Sequence, residues 1–307
     1  MFKNSLKRLI TQQPRKVIGF SVRSMSGDYQ FETLNVVKPA ENVLHVEMNR
    51  PNKRNAMNQQ FFKDMTKCFT HIADDPHARV VVLSGSGKLF TAGLDVMSFA
   101  SSLMPTPDGD VGRKAFSMRK MIKEIQDSLT VIEKCPQPVI AAVHSACVGG
   151  GVDMICACDI RMSTDDAWFQ IKEVDLALAA DIGTLQRMPK LMGSHSLIRE
   201  LAYTARPMYA DEAQRNGFVG RVFKDKEEMM KSAFRLAKQI ASKSPIAVQT
   251  TKLQLNYARD HGVDEGLDYI ASWNMGLLQT QDMLKAAQAT MQNETASFDD
   301  MLPPSKL

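Results

Sequence analysis

The stretch Ala146-Cys-Val-Gly-Gly-Gly-Val-Asp-Met-Ile-Cys-Ala-Cys-Asp159 decides how the chain is read. Three consecutive glycines interrupt an apolar segment, and a single carboxylate, Asp153, follows two positions later. Glycine lets a backbone approach another object closely. A helix that starts at such a run points its first N–H groups outward, where they attract negative charge. The stretch therefore reads as a place where main-chain donors meet a substrate oxygen, with an acid beside them.

Outward from this point, strands and helices alternate. Pro138–Val143 reads as a strand ending at the glycines, followed by a short helix from about Gly150 and a strand near Ile160–Ser163. Upstream, Val43–Met48 and Arg79–Ser84 read as strands. Between them, Asn58–Ile72 places Phe61, Phe62, Met65, Phe69 and Ile72 at helical spacing. Gly85-Ser-Gly87 and Leu103–Gly112 read as loops, with a helix around Arg113–Ile132 and another from about Ile182. The alternation predicts an α/β core. Beyond Lys226 the pattern turns helical: Glu227–Ala241, Pro245–Arg259 and Val263–Met291. Ser244-Pro245 is an N-cap followed by proline at the first helical position. Leu267, Ile270, Ala271 and Trp273–Leu278 form a broad apolar face, which suits a neighbouring subunit or the chain's own core.

The 307 residues are 44% hydrophobic and 23% charged, as in a soluble globular protein of one or two domains. No stretch reads as a membrane span. The five cysteines (68, 135, 147, 156, 158) are odd in number and lack paired zinc spacing, so they read as reduced core thiols. The net charge of +4 hides an asymmetry. Residues 1–27 hold Lys3, Lys7, Arg8, Arg15, Lys16 and Arg23, four serines and no acid. That composition suits a mitochondrial presequence or a disordered basic tail. The remainder is mildly acidic, which argues against nucleic-acid binding. The final Ser305-Lys306-Leu307 has the form of a peroxisomal address read by an import receptor. Mitochondrial matrix and peroxisome are thus both expected.

Two loops put glycine where a backbone N–H is exposed: Phe90-Thr-Ala-Gly-Leu-Asp-Val96 and Val148-Gly-Gly-Gly-Val-Asp153. Two such groups converging on one oxygen form an oxyanion hole, each donor worth roughly a hundred- to a thousandfold in rate. These loops, with Asn49-Arg-Pro-Asn-Lys-Arg-Asn-Ala-Met57, Cys158-Asp-Ile-Arg161 and Gly183-Thr-Leu-Gln-Arg187, resemble the enoyl-CoA hydratase/isomerase (crotonase) superfamily. The similarity runs from about Gln30 to Leu302. Within the superfamily, Phe169–Arg187 and Ala271-Ser-Trp-Asn-Met275 are closest to the dienoyl-CoA isomerase branch.

The resemblance implies a spiral of ββα turns with a C-terminal helical trimerisation region. It divides the chain into a presequence (1–27), a spiral core with the active site (28–226), a helical oligomerisation region (227–302) and a tail (303–307). It implies an acyl-CoA thioester as substrate, no separate cofactor, no nucleic acid, no stable membrane insertion, and a homotrimer or hexamer. The oxyanion donors carry over to the N–H groups of Leu94 and Gly150, and substrate contacts to Ala92, Gly93, Leu94, Asp95, Val96 and Gly150.

The acids discriminate within the superfamily. Hydratases of the superfamily use two glutamates, where this chain has Asp153 and Glu173; a third acid, Asp181, stands where they have glycine. Moving two double bonds from the 3,5 to the 2,4 positions carries a proton from C2 to C6, which suits two acids rather than one. The resemblance assigns Asp181 to C2, Glu173 to C6 and Asp153 to the field between them. Without it, Asp181 reads as a helix N-cap, Glu173 as a surface charge and Asp153 as a helix-dipole partner. Asp159 and Arg161 read as structural, and His45 and His144 as core or face residues. Arg50, Lys53 and Arg54 suit CoA phosphates or a solvated basic turn. The alternatives are a 2-enoyl-CoA hydratase and a non-catalytic RNA-binding relative.

Overall fold

The structure is a computed structural model that describes residues 29–103 and 110–302. The presequence region and the Ser305–Leu307 signal lie outside the described residues. A six-stranded sheet runs in the order β1-β2-β3-β4-β6-β9. Its strands are β1 (Leu34–Ala40), β2 (Val43–Met48), β3 (Val80–Gly85), β4 (Val139–Val143), β6 (Ile160–Thr164) and β9 (Arg221–Phe223). Only β1 is antiparallel to its neighbour. A second sheet, β5-β7-β8, is formed by Ala146–Val148, Trp168–Gln170 and Met208–Tyr209.

β3 is buried along its whole length, as expected of a central strand covered on both faces. On one face lies α1 (Gln59–Asp74), whose Phe61, Phe62, Met65, Phe69 and Ile72 are buried. Each such side chain contributes roughly 1.5–3 kcal/mol on burial. Asn58 caps this helix, accepting from Phe61 N–H at 2.9 Å. α2 (Val96–Leu103) and α3 (Val111–Lys134) follow, then α4 (Gly150–Cys156) and α5 (Thr184–Leu191). α6 (His195–Thr204) and α7 (Ala210–Arg215) complete the spiral. After β4 the chain enters β5 and α4, and after β6 it enters β7 and a 3-10 turn at Glu173–Leu176. This is the expected spiral of ββα turns.

α8 (Lys226–Ala241) covers the other face of the main sheet, with Met229, Ala233, Ala237 and Ala241 packed over Val43, Val82 and Ile140. α9 (Pro245–Ala258) is pinned by Lys252, which is buried and pairs with Asp159 at 2.8 Å. The single long helix expected over Val263–Met291 is instead two, α10 (Val263–Leu277) and α11 (Gln281–Gln292). Thr280 ends the first by capping the second, accepting from Asp282 N–H. The loop expected over Leu103–Gly112 also ends early. Asp110 caps α3 by accepting from Arg113 N–H at 2.7 Å, which draws Val111 and Gly112 into the helix. Among the described residues, no helix is long and apolar enough to cross a membrane.

The five cysteines are free and buried, as expected. Asp159 accepts from Val139 N–H, and Arg161 donates to the carbonyls of Phe218 and Cys158, so both are structural. His45 contacts Ser84 Oγ at 2.8 Å, and His144 contacts Gly87 O at 3.0 Å.

Candidate active site

The glycine triplet sits where the two sheets meet. β5 and β7 run parallel, with Val148 opposite Gln170, so the residues just beyond both strands arrive side by side. Gly149 N–H donates to Gln170 O at 2.8 Å. Glu173, three residues after Gln170, reaches back over the glycines. A Cβ on Gly149 would lie 3.3 Å from its Oε1. Each glycine answers a different need. Gly149 turns the chain at φ +50°, Gly150 presents the first N–H of α4, and Gly151 packs on Thr91, where a Cβ would be 2.3 Å from Cγ2.

The second loop is laced onto the first. Thr91 N–H donates to Ala146 O, and Val148 N–H donates to Thr91 O. Gly93, at φ +90°, lies flat against the triplet; a Cβ there would be 2.8 Å from Val148 O. Met57 N–H donates to Gly93 O and Asp95 N–H to Met57 O, a pattern that skips Leu94. Among the described residues, the N–H groups of Leu94 and Gly150 have no partner in the backbone ladder, and they sit on loops in contact. Ala92 N–H donates to Arg54 O, and Val96 opens α2.

Asp153 is 0% exposed and lies in the first turn of α4. Its Oδ1 accepts from Thr184 N–H at 2.6 Å, so it caps α5 from another helix. Its Oδ2 is buried without a partner. Burial and then the neighbouring Glu173 push this carboxyl up to about 7, against the pull of the Thr184 N–H. Burial also raises Glu173 above the usual carboxylate range; backbone N–H groups at residues 172–173 oppose this and Asp181 adds to it. Glu173 Oε2 is buried and unpartnered. Glu173 is therefore not the plain surface charge of the alternative reading.

Asp181 is exposed and precedes α5, which starts at Thr184 rather than near Ile182. Gly183 occupies the N-cap position, so the N-cap reading of Asp181 is overturned. The physical reason is that Asp153 already supplies the capping oxygen. Asp181 lines a cavity of about 410 Å³ with α3 and α5. The sequence-predicted acids are thus brought within electrostatic reach of one another.

The chain is similar to known proteins. The family pattern described as "Enoyl-CoA hydratase/isomerase" matches residues 38–300. The chain belongs to that family. It is 55% identical over 267 residues to the mitochondrial Δ3,5-Δ2,4-dienoyl-CoA isomerase of Rattus norvegicus, covering 87% of this chain and 82% of that one. It is 42% identical over 271 residues to the peroxisomal Δ3,5-Δ2,4-dienoyl-CoA isomerase of Arabidopsis thaliana, covering 87% and 97%. A crystal structure of an enoyl-CoA hydratase from Bacillus anthracis superposes with a TM-score of 0.79 at 29% identity, over 87% of this chain and 99% of that one. This member of the enoyl-CoA hydratase/isomerase family is an isomerase. Both expected compartments, mitochondrion and peroxisome, are those in which such relatives are named.

Some residues that shape this family member's site were not singled out from sequence. Asn55 Nδ2 shares its two hydrogens among the carbonyls of Ser86, Leu89 and Phe90, at 2.8, 3.1 and 3.0 Å, folding the turn that leads into the Leu94 loop. Thr91 Oγ1 donates to Asn55 O and accepts from Gly93 N–H. Thr184 anchors Asp153. The available signal was the Asn49–Met57 motif, which contains Asn55. Arg50, weighed for CoA phosphates, is engaged instead with Asp95 at 3.2 Å and with the Ala56 carbonyl. That pair ties the Asn49–Met57 turn to the Leu94 loop.

Proposed function

We propose that the protein converts 3,5-dienoyl-CoA to 2,4-dienoyl-CoA, and that Asp181 and Glu173 are its proton carriers. The observation that carries this reading is a third acid, free of helix-capping duty, beside two others and a pair of unpaired backbone donors. In the mechanism we infer, the thioester oxygen sits between the N–H groups of Leu94 and Gly150. Asp181 takes the proton from C2, and the electron pair moves toward the oxygen as an extended dienolate. Glu173 gives a proton to C6. The pair then returns from the oxygen, leaving double bonds at C2–C3 and C4–C5. The raised carboxyl of Glu173 suits the acid, because it holds a proton to a higher pH than an ordinary glutamate does. Asp153, unable to ionise cheaply at the same time, sets the field between them. Ala92, Gly93, Asp95 and Val96 form the wall along the thioester, and no separate cofactor is required.

The decisive assay offers purified protein a 3,5-dienoyl-CoA and a 2-enoyl-CoA in parallel. Fast appearance of the conjugated diene with slow hydration supports the reading. Fast hydration without diene formation would identify a hydratase and leave Asp181 without a role. Gly93→Ala should lower kcat about a hundredfold, because any side chain there meets Val148 O and moves the Leu94 donor. Steady-state kinetics on the folded variant checks this, with a lowered melting temperature expected from the strain at φ +90°.

We also read residues 28–226 as the catalytic spiral and 227–302 as the oligomerisation region of a trimer or hexamer. Leu267 and Leu278 are each 61% exposed, beside Trp273 and Met275, more apolar surface than a lone terminal helix keeps in water. Leu267→Glu combined with Leu278→Glu should reduce the assembly to monomer in light scattering. An unchanged mass would place the interface elsewhere.

A further inference from the structure

One face of α3 presents three polar side chains, Gln126, Thr130 and Glu133, to the segment that carries Asp181. Their spacing of four and then three residues puts them in one row. Gln126 Nε2 donates to the Asp181 carbonyl at 2.7 Å. Arg187 Nη2 donates to Thr130 Oγ1 at 3.0 Å, and Arg187 Nε to Glu133 Oε2 at 2.6 Å. Both ends of the 181–187 segment are therefore held by the same helix. The guanidinium fills the space beside Gly183, where a Cβ would lie 2.2 Å from Nη1.

Glu133 has a second partner. Its Oε1 takes Arg259, at the end of α9, which also pairs with Asp260 at 3.0 Å. The side chains of Arg187 and Glu133 are only 12% and 13% exposed. Burial alone would raise the Glu133 carboxyl; the two guanidiniums outweigh it and hold it below the usual range. Such charge-assisted, two-pronged contacts are shorter and stiffer than neutral ones.

We propose that Glu133 is a positioning residue for the reaction: through Arg187 it fixes the Asp181–Thr184 segment, which carries one catalytic carboxyl and anchors another. The need is geometric. Residues 178–181 form no regular element, so nothing within the segment itself holds Asp181 in place. Among the described residues, Thr184 is the residue that hydrogen-bonds the Asp153 carboxylate, through its N–H at 2.6 Å. A shift of about 1 Å at either acid costs on the order of a hundredfold in rate. The role in turnover rests on the assignment of Asp181 above; the latch itself rests on the contacts alone.

The test compares Glu133→Gln, which keeps the shape and loses the charge, with Glu133→Asp, which keeps the charge and shortens the reach. Glu133→Gln should lower kcat about 10- to 100-fold, with KM within about twofold. Glu133→Asp should lose less rate, a rescue that a merely structural role would not give. In substrate-free protein, amide hydrogen exchange across 181–187 should quicken about tenfold or more in Glu133→Gln. Unchanged exchange, or kcat within about twofold of wild type, would overturn the proposal. Should Glu133→Gln fail to fold, Arg187→Lys keeps the charge and loses the fork, and must show the faster exchange and slower turnover. A wild-type protein that forms no conjugated diene would sink the isomerase mechanism, while the exchange measurement still decides the latch.

Discussion

Asp181→Asn and Glu173→Gln each lower kcat by about a hundred- to ten-thousandfold, with little change in binding of the CoA ester. The size follows from what each carboxyl is asked to do. Neither substitution alters the oxyanion donors, so the thioester is still held and KM stays within a few fold. What is lost is a proton acceptor at one end of the dienolate or a donor at the other. The two variants should also differ from one another. Asp181→Asn removes the base, so deuterium from solvent no longer enters at C2. Glu173→Gln leaves that exchange running while the diene fails to form, because the dienolate is made and returns. Mass spectrometry of the recovered thioester distinguishes the two. Equal exchange in both variants would show that the acids are not divided between C2 and C6. Near-normal turnover in either would remove that residue from the mechanism.

Long, periodic elements of this fold were legible in the sequence because one face of each is buried against a single neighbour. β2 and α1 are found where alternation and helical spacing place them, and α1 even shows its asparagine cap. The strands of the second sheet were not legible, since two or three residues carry no period: Ala146–Val148 merged into the strand before it. The helix break at Thr280 was missed because the apolar spacing continues through it. The start of α5 was missed for a different reason. Its cap comes from Asp153, 31 positions away in sequence, a contact that no local pattern reveals. The same distance problem hid Glu133 as the partner of Arg187, whose own motif was legible. The carboxyls and the two glycine loops were legible as a group through their resemblance to a family, while their division of labour depends on burial. Asp153 is sealed in, Glu173 half-covered and Asp181 open, although all three are acids set in largely apolar stretches of sequence.

Asp153→Asn should make the protein more stable at neutral pH and less active. The stability effect follows from linkage. In the fold, burial and Glu173 lift the Asp153 carboxyl to about 7 from 3.8. The folded state therefore binds this proton more tightly than the unfolded chain does. Between the two values, unfolding releases a proton, so this group's contribution to stability is full below about pH 4 and falls as pH rises to about 7. The loss reaches about 4 kcal/mol, and above pH 7 it grows no further. Asparagine keeps an oxygen for Thr184 N–H but cannot ionise, so the variant escapes the fall. Its amide group must occupy the unpartnered Oδ2 position, at a cost of about 1–3 kcal/mol, which is independent of pH. Denaturant unfolding should therefore show the variant equal to or weaker than wild type at pH 5 and stronger at pH 8. Parallel stability curves across that range would mean that Asp153 is ionised in the fold, with its charge satisfied. Activity should move the other way above about pH 7, because there Asp153 is ionised in the wild type and its charge is missing from the variant. A variant as active as wild type at pH 8 would remove the field of Asp153 from the reaction and leave it a purely structural, buried carboxyl.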